Sequence, residues 1–221
     1  MALSVVTGSN RGIGLALGKL LAERGATVLA ACRATSPELE ALGVEVVAGV
    51  DVAAADGPGR LAAAVGERPV ELLVNNAGIL RFGDRLEALD LDGIREQMEV
   101  NAFGPLRVTA ALRERLARGA KVALVTSRMG SIEDNSSGGF YGYRMSKAAL
   151  NMAGKSLSVD LRGAGVSAIV LHPGMVMTDM ARGHGQVEVL EAARGLLARI
   201  DALTPETTGA FFHANGEHLP W

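Results

Sequence analysis

Short apolar runs alternate along this chain with longer segments of helical period, and this alternation is the feature that most constrains the fold. The runs cover residues 2–7, 27–31, 44–50, 70–74, 121–126 and 166–171. Because they are apolar throughout rather than at every second residue, both faces of each predicted strand should be covered by helices. The helical segments include residues 14–24, 57–66, 86–118 and 143–162. The pattern predicts an α/β fold, a doubly wound (Rossmann) parallel sheet of about seven strands with helices on both faces.

Composition excludes several classes of protein. Hydrophobic residues make up 48% of the 221 residues and charged residues 21%, a balance typical of a folded core and not of a disordered chain. No Pro/Ser-rich linker or repeat divides the sequence, so we expect a single domain over residues 1–221. The net charge is −2 and no block of Lys or Arg is present, so we expect no nucleic-acid partner.

Membrane, disulfide and metal sites are not expected either. The longest charge-free stretch, residues 163–178, is interrupted by a His-Pro-Gly sequence and is too short to span a bilayer. The first residues lack a basic region ahead of the apolar run, so no signal peptide is predicted and a cytoplasmic location is expected. The single cysteine, Cys32, excludes an internal disulfide and a Cys-rich metal site.

A glycine-rich turn follows the first predicted strand and opens the first predicted helix. Glycine permits a tight turn and lets a pyrophosphate approach the free N–H groups of a helix N-terminus. An ordinary strand–helix connector is the alternative, but the position after the first strand favours a dinucleotide-binding turn. Its residues are Gly8, Ser9, Asn10, Arg11, Gly12, Ile13 and Gly14.

The end of the second predicted strand indicates which dinucleotide is bound. Folds that prefer NAD carry a carboxylate here to bond the ribose 2′-hydroxyl. This chain has Arg33 instead, with no carboxylate before Glu38, and Arg11 could add a second cation. Two cations without an anion suit a 2′-phosphate, so we predict NADPH/NADP+ in preference to NADH. Either arginine could instead be a solvated surface charge.

A tyrosine and a lysine lie one helical turn apart. Tyr143 and Lys147 share a helix face, whereas Tyr141 has Met145 at the same offset. A phenol with a pKa near ~10 needs a nearby cation to act as an acid–base catalyst at neutral pH. A chance surface pair is the alternative for these two residues taken alone.

Further motifs accompany this pair: a TGxxxGxG turn from Thr7, an NNAG segment from Asn75, a helical Asn101, Ser127, the YxxxK pair from Tyr143, and an HPG sequence from His172. Together they resemble the short-chain dehydrogenase/reductase family over essentially the whole chain.

A second set of segments covers residues 130–132, 135–139, 143–151 and 216–221. Within the family these segments resemble the branch of sniffer-type carbonyl reductases and C-factor-like proteins.

The resemblance implies a role for each catalytic position. Tyr143 would be the general acid that protonates a carbonyl oxygen, and Ser127 would hydrogen-bond that oxygen. Lys147 would lower the pKa of the tyrosine and bond the nicotinamide ribose, and Asn101 would hold a water of a proton relay. Ser131, Ser136 and Ser137 also precede Tyr143 and remain alternatives to Ser127.

The resemblance also implies the remaining cofactor contacts. Asp51 and Val52 would lie by the adenine. The other positions along the cofactor would be Asn75, Ala77 and Gly78, and on the nicotinamide side Pro173, Gly174, Val176 and Thr178, besides Tyr143 and Lys147.

These expectations give an NADPH-dependent oxidoreductase that reduces a small-molecule aldehyde, ketone or quinone by hydride transfer. A short substrate loop over residues 179–186 would leave the site open to varied substrates. A homodimer or homotetramer is expected from the family, through the helix that bears Tyr143 and the helix before it. The alternative is a non-catalytic NADP(H)-binding regulatory or signalling protein on the same fold.

Overall fold

The apolar runs form the strands of one parallel sheet in the computed structural model, which describes residues 3–83 and 85–221. Within these residues the sheet has seven strands in the order β3-β2-β1-β4-β5-β6-β7. The predicted fold class is therefore confirmed, and residue 2 of the first run lies outside the described residues. The strands are β1 Leu3–Thr7, β2 Thr27–Ala31, β3 Glu45–Val47, β4 Val70–Asn75, β5 Leu116–Val125, β6 Ser167–His172 and β7 Phe211–His213.

Helices cover both faces of the sheet. Helices α1 and α7 bury their apolar faces on one side, through residues such as Leu17 and Leu196. Helices α3, α5 and α6 cover the other side, where Leu61, Val108 and Leu150 are buried. The helices are α1 Gly12–Glu23, α2 Pro37–Glu40, α3 Gly57–Val65, α4 Leu91–Met98, α5 Gly104–Leu112, α6 Tyr141–Asp160 and α7 Val189–Asp201. No helix of the described residues is long and apolar enough to cross a membrane.

The helix predicted over residues 86–118 is wrong as a single element. Helix α4 passes through a π-helical turn, Glu99–Phe103, into α5, and a short 3-10 turn leads to β5, which already begins at Leu116. The start of β5 bulges: Val70 pairs with Leu116 but Leu72 pairs with Lys121. The residues at the end of the predicted helix, 116–118, therefore belong to a strand although their composition is typical of a helix.

The chain order reverses direction between β1 and β4. From β1 the chain builds β2 and β3 on one side, and from β4 it builds β5, β6 and β7 on the other. At such a switch point the loops after the two central strands separate, and a crevice opens at the carboxyl ends of the strands. The turns after β1 and β4 both border the cleft described next.

Candidate active site

A cleft of about 1100 Å³ lies at the carboxyl ends of the strands. It runs from the turn after β1 to Tyr143 and Lys147 and continues to residues near Arg182. Fourteen of the predicted site residues line it: Gly8, Asn10, Arg11, Gly12, Ile13, Arg33, Asp51, Val52, Ala77, Gly78, Tyr143, Lys147, Pro173 and Thr178.

The glycine turn is packed closely against the end of β4. A Cβ on Gly8, whose φ is +68°, would lie 2.9 Å from the Cα of Ala77. A Cβ on Gly14 would lie 2.2 Å from the carbonyl oxygen of Gly8, so Gly14 serves packing and does not line the cleft. Ser9 is also outside the cleft, since its buried hydroxyl donates to the carbonyl of Val6 at 2.6 Å. Both remain predictions as cofactor contacts.

The two asparagines after β4 have different environments. Asn75 is 1% exposed, and its Nδ2 donates to Oγ1 of Thr109 on α5, so its side chain faces away from the cleft. Asn76, which sequence reasoning missed, lines the cleft and donates to the carbonyl oxygens of Thr7 and Gly8 at 3.0 and 3.2 Å. Asn76 therefore holds the glycine turn in place.

The two predicted phosphate-binding arginines differ as well. Arg33 is exposed at the end of β2 and has no ion-pair partner among residues 3–83 and 85–221. Arg11 lies 3.5 Å from the Asp179 carboxylate, and both side chains are largely exposed. Such a pair is weak and exchanges readily with solvent ions. Arg33 thus offers a free guanidinium, while Arg11 is partly neutralised by the substrate loop.

Ser127 is the serine that contacts the tyrosine. Its side chain hydrogen-bonds Tyr143, whereas Ser131 bonds the backbone oxygen of Trp221 and the N–H of Asp134. Ser136 and Ser137 are exposed on the loop before α6. The geometry therefore favours Ser127 among the candidate serines.

Asn151, a residue that sequence analysis did not single out, fixes the loop that carries Ser127. Its Oδ1 accepts from Thr126 at 2.7 Å, and its Nδ2 donates to the Gly130 carbonyl at 3.2 Å. These bonds enclose Ser127 on both sides and tie its loop to α6, the helix of Tyr143. Its position two turns after Tyr143 on the same helix was the available signal.

Burial governs the ionisation of the tyrosine. It raises the pKa of Tyr143 to about 12, and the hydrogen bond from Ser127 lowers that pKa by less. The Lys147 Nζ lies 5.8 Å from the centre of the phenol ring, and its role in lowering the pKa of Tyr143 stays a prediction. Tyr143 therefore carries its proton at neutral pH.

Lys147 is held inside the protein. It is 4% exposed, and its Nζ donates to the carbonyl of Val125 at 3.0 Å. Burial lowers its pKa from 10.5 to about 8. An ammonium group with one backbone acceptor has further N–H donors available for a ligand in the cleft.

Asn101 lies in the π-helical turn and is fully buried. Its Oδ1 accepts from the N–H of Ile79, and its Nδ2 donates to the Ile79 carbonyl and to the Ser146 hydroxyl. The side chain thus fixes the segment after β4, and it does not line the cleft. The role of Asn101 in holding a relay water stays a prediction.

The segment after β6 contributes unequally to the cleft. Pro173 and Thr178 line it, whereas Val176 pairs with Val187 and Gly174 packs beneath Val187 and His213. The pairing returns the chain on itself, so residues 175–187 form a closed loop beside the cleft. Gly174 and Val176 are therefore placed as supports of that loop.

At the substrate end of the cleft lie Arg182, which belongs to the predicted substrate loop, and Phe82, which the sequence analysis did not single out. Arg182 stacks over the ring of Phe82 at 4.1 Å, and Phe82 meets Phe140 edge-on at 6.1 Å. No sequence pattern links these loop residues. Asp179 and Met180 of the predicted substrate loop also line the cleft. The remaining unpredicted lining residues are Cys32, Ala34, Val50, Ile79, Leu80, Arg81, Glu96, Val100, Val125, Thr126, Met177 and Val189.

Comparison with known proteins relates this site to a family. A dehydrogenase from Rhodococcus sp. AD45, named for 1-hydroxy-2-glutathionyl-2-methyl-3-butene, is 44% identical and matches over the full length of both chains. The C-signal protein of Myxococcus xanthus is 47% identical over 69% of this chain and 93% of its own.

A solved structure shares the fold over the whole chain. The NADPH-bound carbonyl reductase from chicken fatty liver superposes with a TM-score of 0.90 and 30% identity, covering 100% of this chain and 98% of its own. The model of the short chain dehydrogenase family matches residues 3–188. By this match and by the site described above, the chain belongs to the short-chain dehydrogenase/reductase family of oxidoreductases.

Proposed function

We propose that this protein reduces the carbonyl group of a small molecule to an alcohol with NADPH, and that Tyr143 is the general acid. One observation carries the proposal: the buried phenol of Tyr143 is hydrogen-bonded by Ser127 and opens into the same cleft as the glycine turn, and the centre of its ring lies 5.8 Å from the Lys147 Nζ. An acid, an oxygen-binding hydroxyl and a nucleotide cradle are the groups that carbonyl reduction needs.

The residues present fit a dinucleotide. Gly8 and Gly12 leave the entrance of α1 without side chains, so a pyrophosphate can approach the helix N-terminus. Lys147 would bond the nicotinamide ribose, and Asp51 and Val52 would border the adenine. A bound nicotinamide would supply the hydride.

Arg33 supports the choice of NADPH. Its exposed guanidinium lines the cleft at the end of β2, where a 2′-phosphate would be recognised. The NADPH-bound chicken reductase provides a second line of support.

The protonated state of Tyr143 suits the reductive reaction. In reduction, a protonated phenol donates its proton to the substrate oxygen while the carbonyl carbon gains the hydride. The raised pKa of Tyr143 keeps that proton in place at neutral pH. Ser127 would donate to the same oxygen, and Lys147 would stabilise the phenolate left after proton transfer. Asn101 would hold the water that returns a proton.

We further propose that the protein is a homodimer or homotetramer, as the family resemblance implies. Met145, Met152 and Val159 are exposed at seven-residue spacing, which places them along one face of α6. Phe103 and Leu106 are exposed on the preceding helical segment. Residues 179–186 would form the substrate loop.

Similarity to the C-signal protein favours a second candidate, a regulatory or signalling protein that binds NADP(H) without turnover. Both candidates predict nucleotide binding, but only the first requires the tyrosine hydroxyl. The hydroxyl is therefore the group to remove.

The test compares Tyr143→Phe with Tyr141→Phe, a tyrosine two residues earlier that does not line the cleft. NADPH oxidation is followed with a panel of aldehydes, diketones and quinones. We expect the Tyr143 variant to lose about 10²–10⁴-fold in kcat while NADPH binding, measured by fluorescence titration, is unchanged. The Tyr141 variant should behave as wild type. If no carbonyl is reduced by the wild type while NADPH still binds, the regulatory candidate is favoured.

A further inference from the structure

Arg182 lies at the substrate end of the cleft, and its charge is not neutralised by any of the residues that the structure describes. Its neighbours in the cleft are paired: Arg81 bonds Glu96 through two nitrogens at 2.8 Å each, and Arg11 lies beside Asp179. Among residues 3–83 and 85–221, Arg182 has no carboxylate partner. An anion entering this end of the cleft would therefore meet the charge of Arg182.

The position of this guanidinium is fixed by stacking. It lies 4.1 Å from the centre of the Phe82 ring, and both residues line the cleft. Stacking on a ring face uses the flat side of the guanidinium and leaves its N–H edge available for a bidentate bond to an oxyanion. The stacking thus favours, for this exposed side chain, an orientation in which its N–H edge can meet a ligand.

A chain of contacts connects this guanidinium to the catalytic helix. Phe82 packs edge-on against Phe140 with centroids 6.1 Å apart. Phe140 is the N-cap of α6 and adopts a left-handed conformation with φ +50°, three residues before Tyr143. Arg182 and Tyr143 both line the cleft described above, at different positions along it.

We propose that Arg182, supported by Phe82, binds a carboxylate of the substrate, so that the preferred substrates are carbonyl compounds with a carboxylate away from the reacting carbon. This inference rests on the proposed function. A phosphate of the cofactor is the other source of an anion in this cleft, and the experiment separates the two.

The experiment uses aldehydes that carry a carboxylate on alkyl or aryl spacers of increasing length, each paired with its methyl ester. For wild type we expect kcat/KM to favour the acid over its ester at one or more spacer lengths. In Arg182→Gln this preference should fall about tenfold or more, mainly through KM, because a charge-assisted hydrogen bond is lost. The esters should be used equally by both proteins.

One control keeps the charge at position 182, and the other removes an arginine outside the cleft. Arg182→Lys keeps a cation without the planar fork and should restore part of the preference. Arg144→Gln removes an arginine that bonds Ser137 and the Gly138 carbonyl outside the cleft, and it should leave the preference unchanged. NADPH affinity should be the same in all variants.

A binding measurement keeps the test independent of turnover. Calorimetry with the NADP+-loaded protein compares non-reducible carboxylates of the same spacers with their methyl esters. Loss of carboxylate binding in Arg182→Gln supports the inference even if no aldehyde is reduced, which would contradict only the proposed function. An acid-to-ester ratio that is the same in wild type and in Arg182→Gln would overturn the inference. If NADPH also binds more weakly to the variant while that ratio is unchanged, Arg182 contacts the cofactor instead.

Discussion

At the β1–α1 end of the cleft, close backbone packing sets the shape, whereas at the end bordered by residues 79–82 and 175–187 side chains set it. At the first end the backbone segments pack so closely that only glycine fits: a Cβ on Gly14 would lie 2.2 Å from a carbonyl oxygen. The second end is defined by a guanidinium on a phenyl ring and by ion pairs between exposed groups. Backbone packing excludes almost any change, while exposed side chains can be exchanged without altering the fold.

This difference separates two functions along one cleft. The glycine end would bind the part of the cofactor that is the same in every reaction, so a rigid backbone suits it. The far end would bind substrates, and their selection can change through single side chains such as Arg182. Four substitutions test how the glycine end and the substrate end of the cleft differ.

The largest effect is expected at Gly14. In Gly14→Ala the new methyl would meet the Gly8 carbonyl and the Asn76 amide, so we expect a loss of about 3 kcal/mol or more in the free energy of unfolding. Gly18→Ala is the matched control on the same helix, since its nearest neighbour would be Leu42 at 3.9 Å. The control should be neutral or stabilising by about 0.5–1 kcal/mol. Urea unfolding measures both, and equal stabilities would contradict the packing argument.

Lys147 lies between the two ends, and its burial predicts a pH dependence. Its pKa falls from 10.5 in the unfolded chain to about 8 in the folded one, so the folded state binds fewer protons between these values. The free energy of unfolding should therefore rise from pH 8 to pH 10.5, by up to about 3 kcal/mol. Below pH 8 the charged lysine is buried in full, and the protein carries the whole of this destabilisation.

Lys147→Met should lack this rise, because the variant has no buried ammonium group to deprotonate. Urea unfolding of wild type and variant across this range measures the difference directly. Lys19→Met, an exposed position on α1, should keep the wild-type profile. Parallel profiles for wild type and Lys147→Met would show that the lysine is not desolvated as described.

An intermediate effect is expected at Arg33, at the glycine end. Arg33→Asp replaces the free guanidinium with a carboxylate, which repels a 2′-phosphate and accepts a 2′-hydroxyl. The ratio of the NADPH and NADH dissociation constants should shift toward NADH by about 10–100-fold. Arg162→Asp, exposed just after α6, should leave the ratio unchanged. If wild type binds both nucleotides alike, the arginine argument fails.

The smallest effect is expected at Asp179, whose ion pair with Arg11 links the two ends. Both side chains are mostly exposed, so Asp179→Asn should change stability by less than about 1 kcal/mol. Because Arg11 loses a competing carboxylate, NADPH should bind equally well or about twofold tighter at low salt. The difference should vanish at high salt, and markedly weaker NADPH binding would show that the pair is needed to shape the site.

The sequence predicted most of the sheet because buried parallel strands are apolar throughout, a signal that needs no knowledge of distant contacts. It did not predict the break in residues 86–118, where the π-helical turn carries Asn101, whose side chain bonds the backbone of Ile79. That bond joins residues far apart in the chain, so the helical period of the sequence cannot predict it.

The site shows the same division. Tyr143 and Lys147 were identified because their spacing along one helix places them together. Strand alternation could have placed Asn75 correctly, since it shares a face of β4 with Leu73, which is buried under the helices on that side. The predicted substrate loop contains Arg182, but no such signal links it to Phe82, because the two meet only where two irregular loops pack against each other.

The π-helical turn lets the α4–α5 segment hold one residue more than a regular helix would. A π turn contains one residue more than the corresponding α turn, and it absorbs that residue locally. Deleting a single residue from Glu99–Phe103 would therefore let the two helices run on as one regular α-helix whose later side chains keep nearly the same faces. Val108 and Leu112 would still face the sheet, whereas the local turn that brings Asn101 to Ile79 would be lost. Such a deletion should spare the packing of α5 and disturb the site.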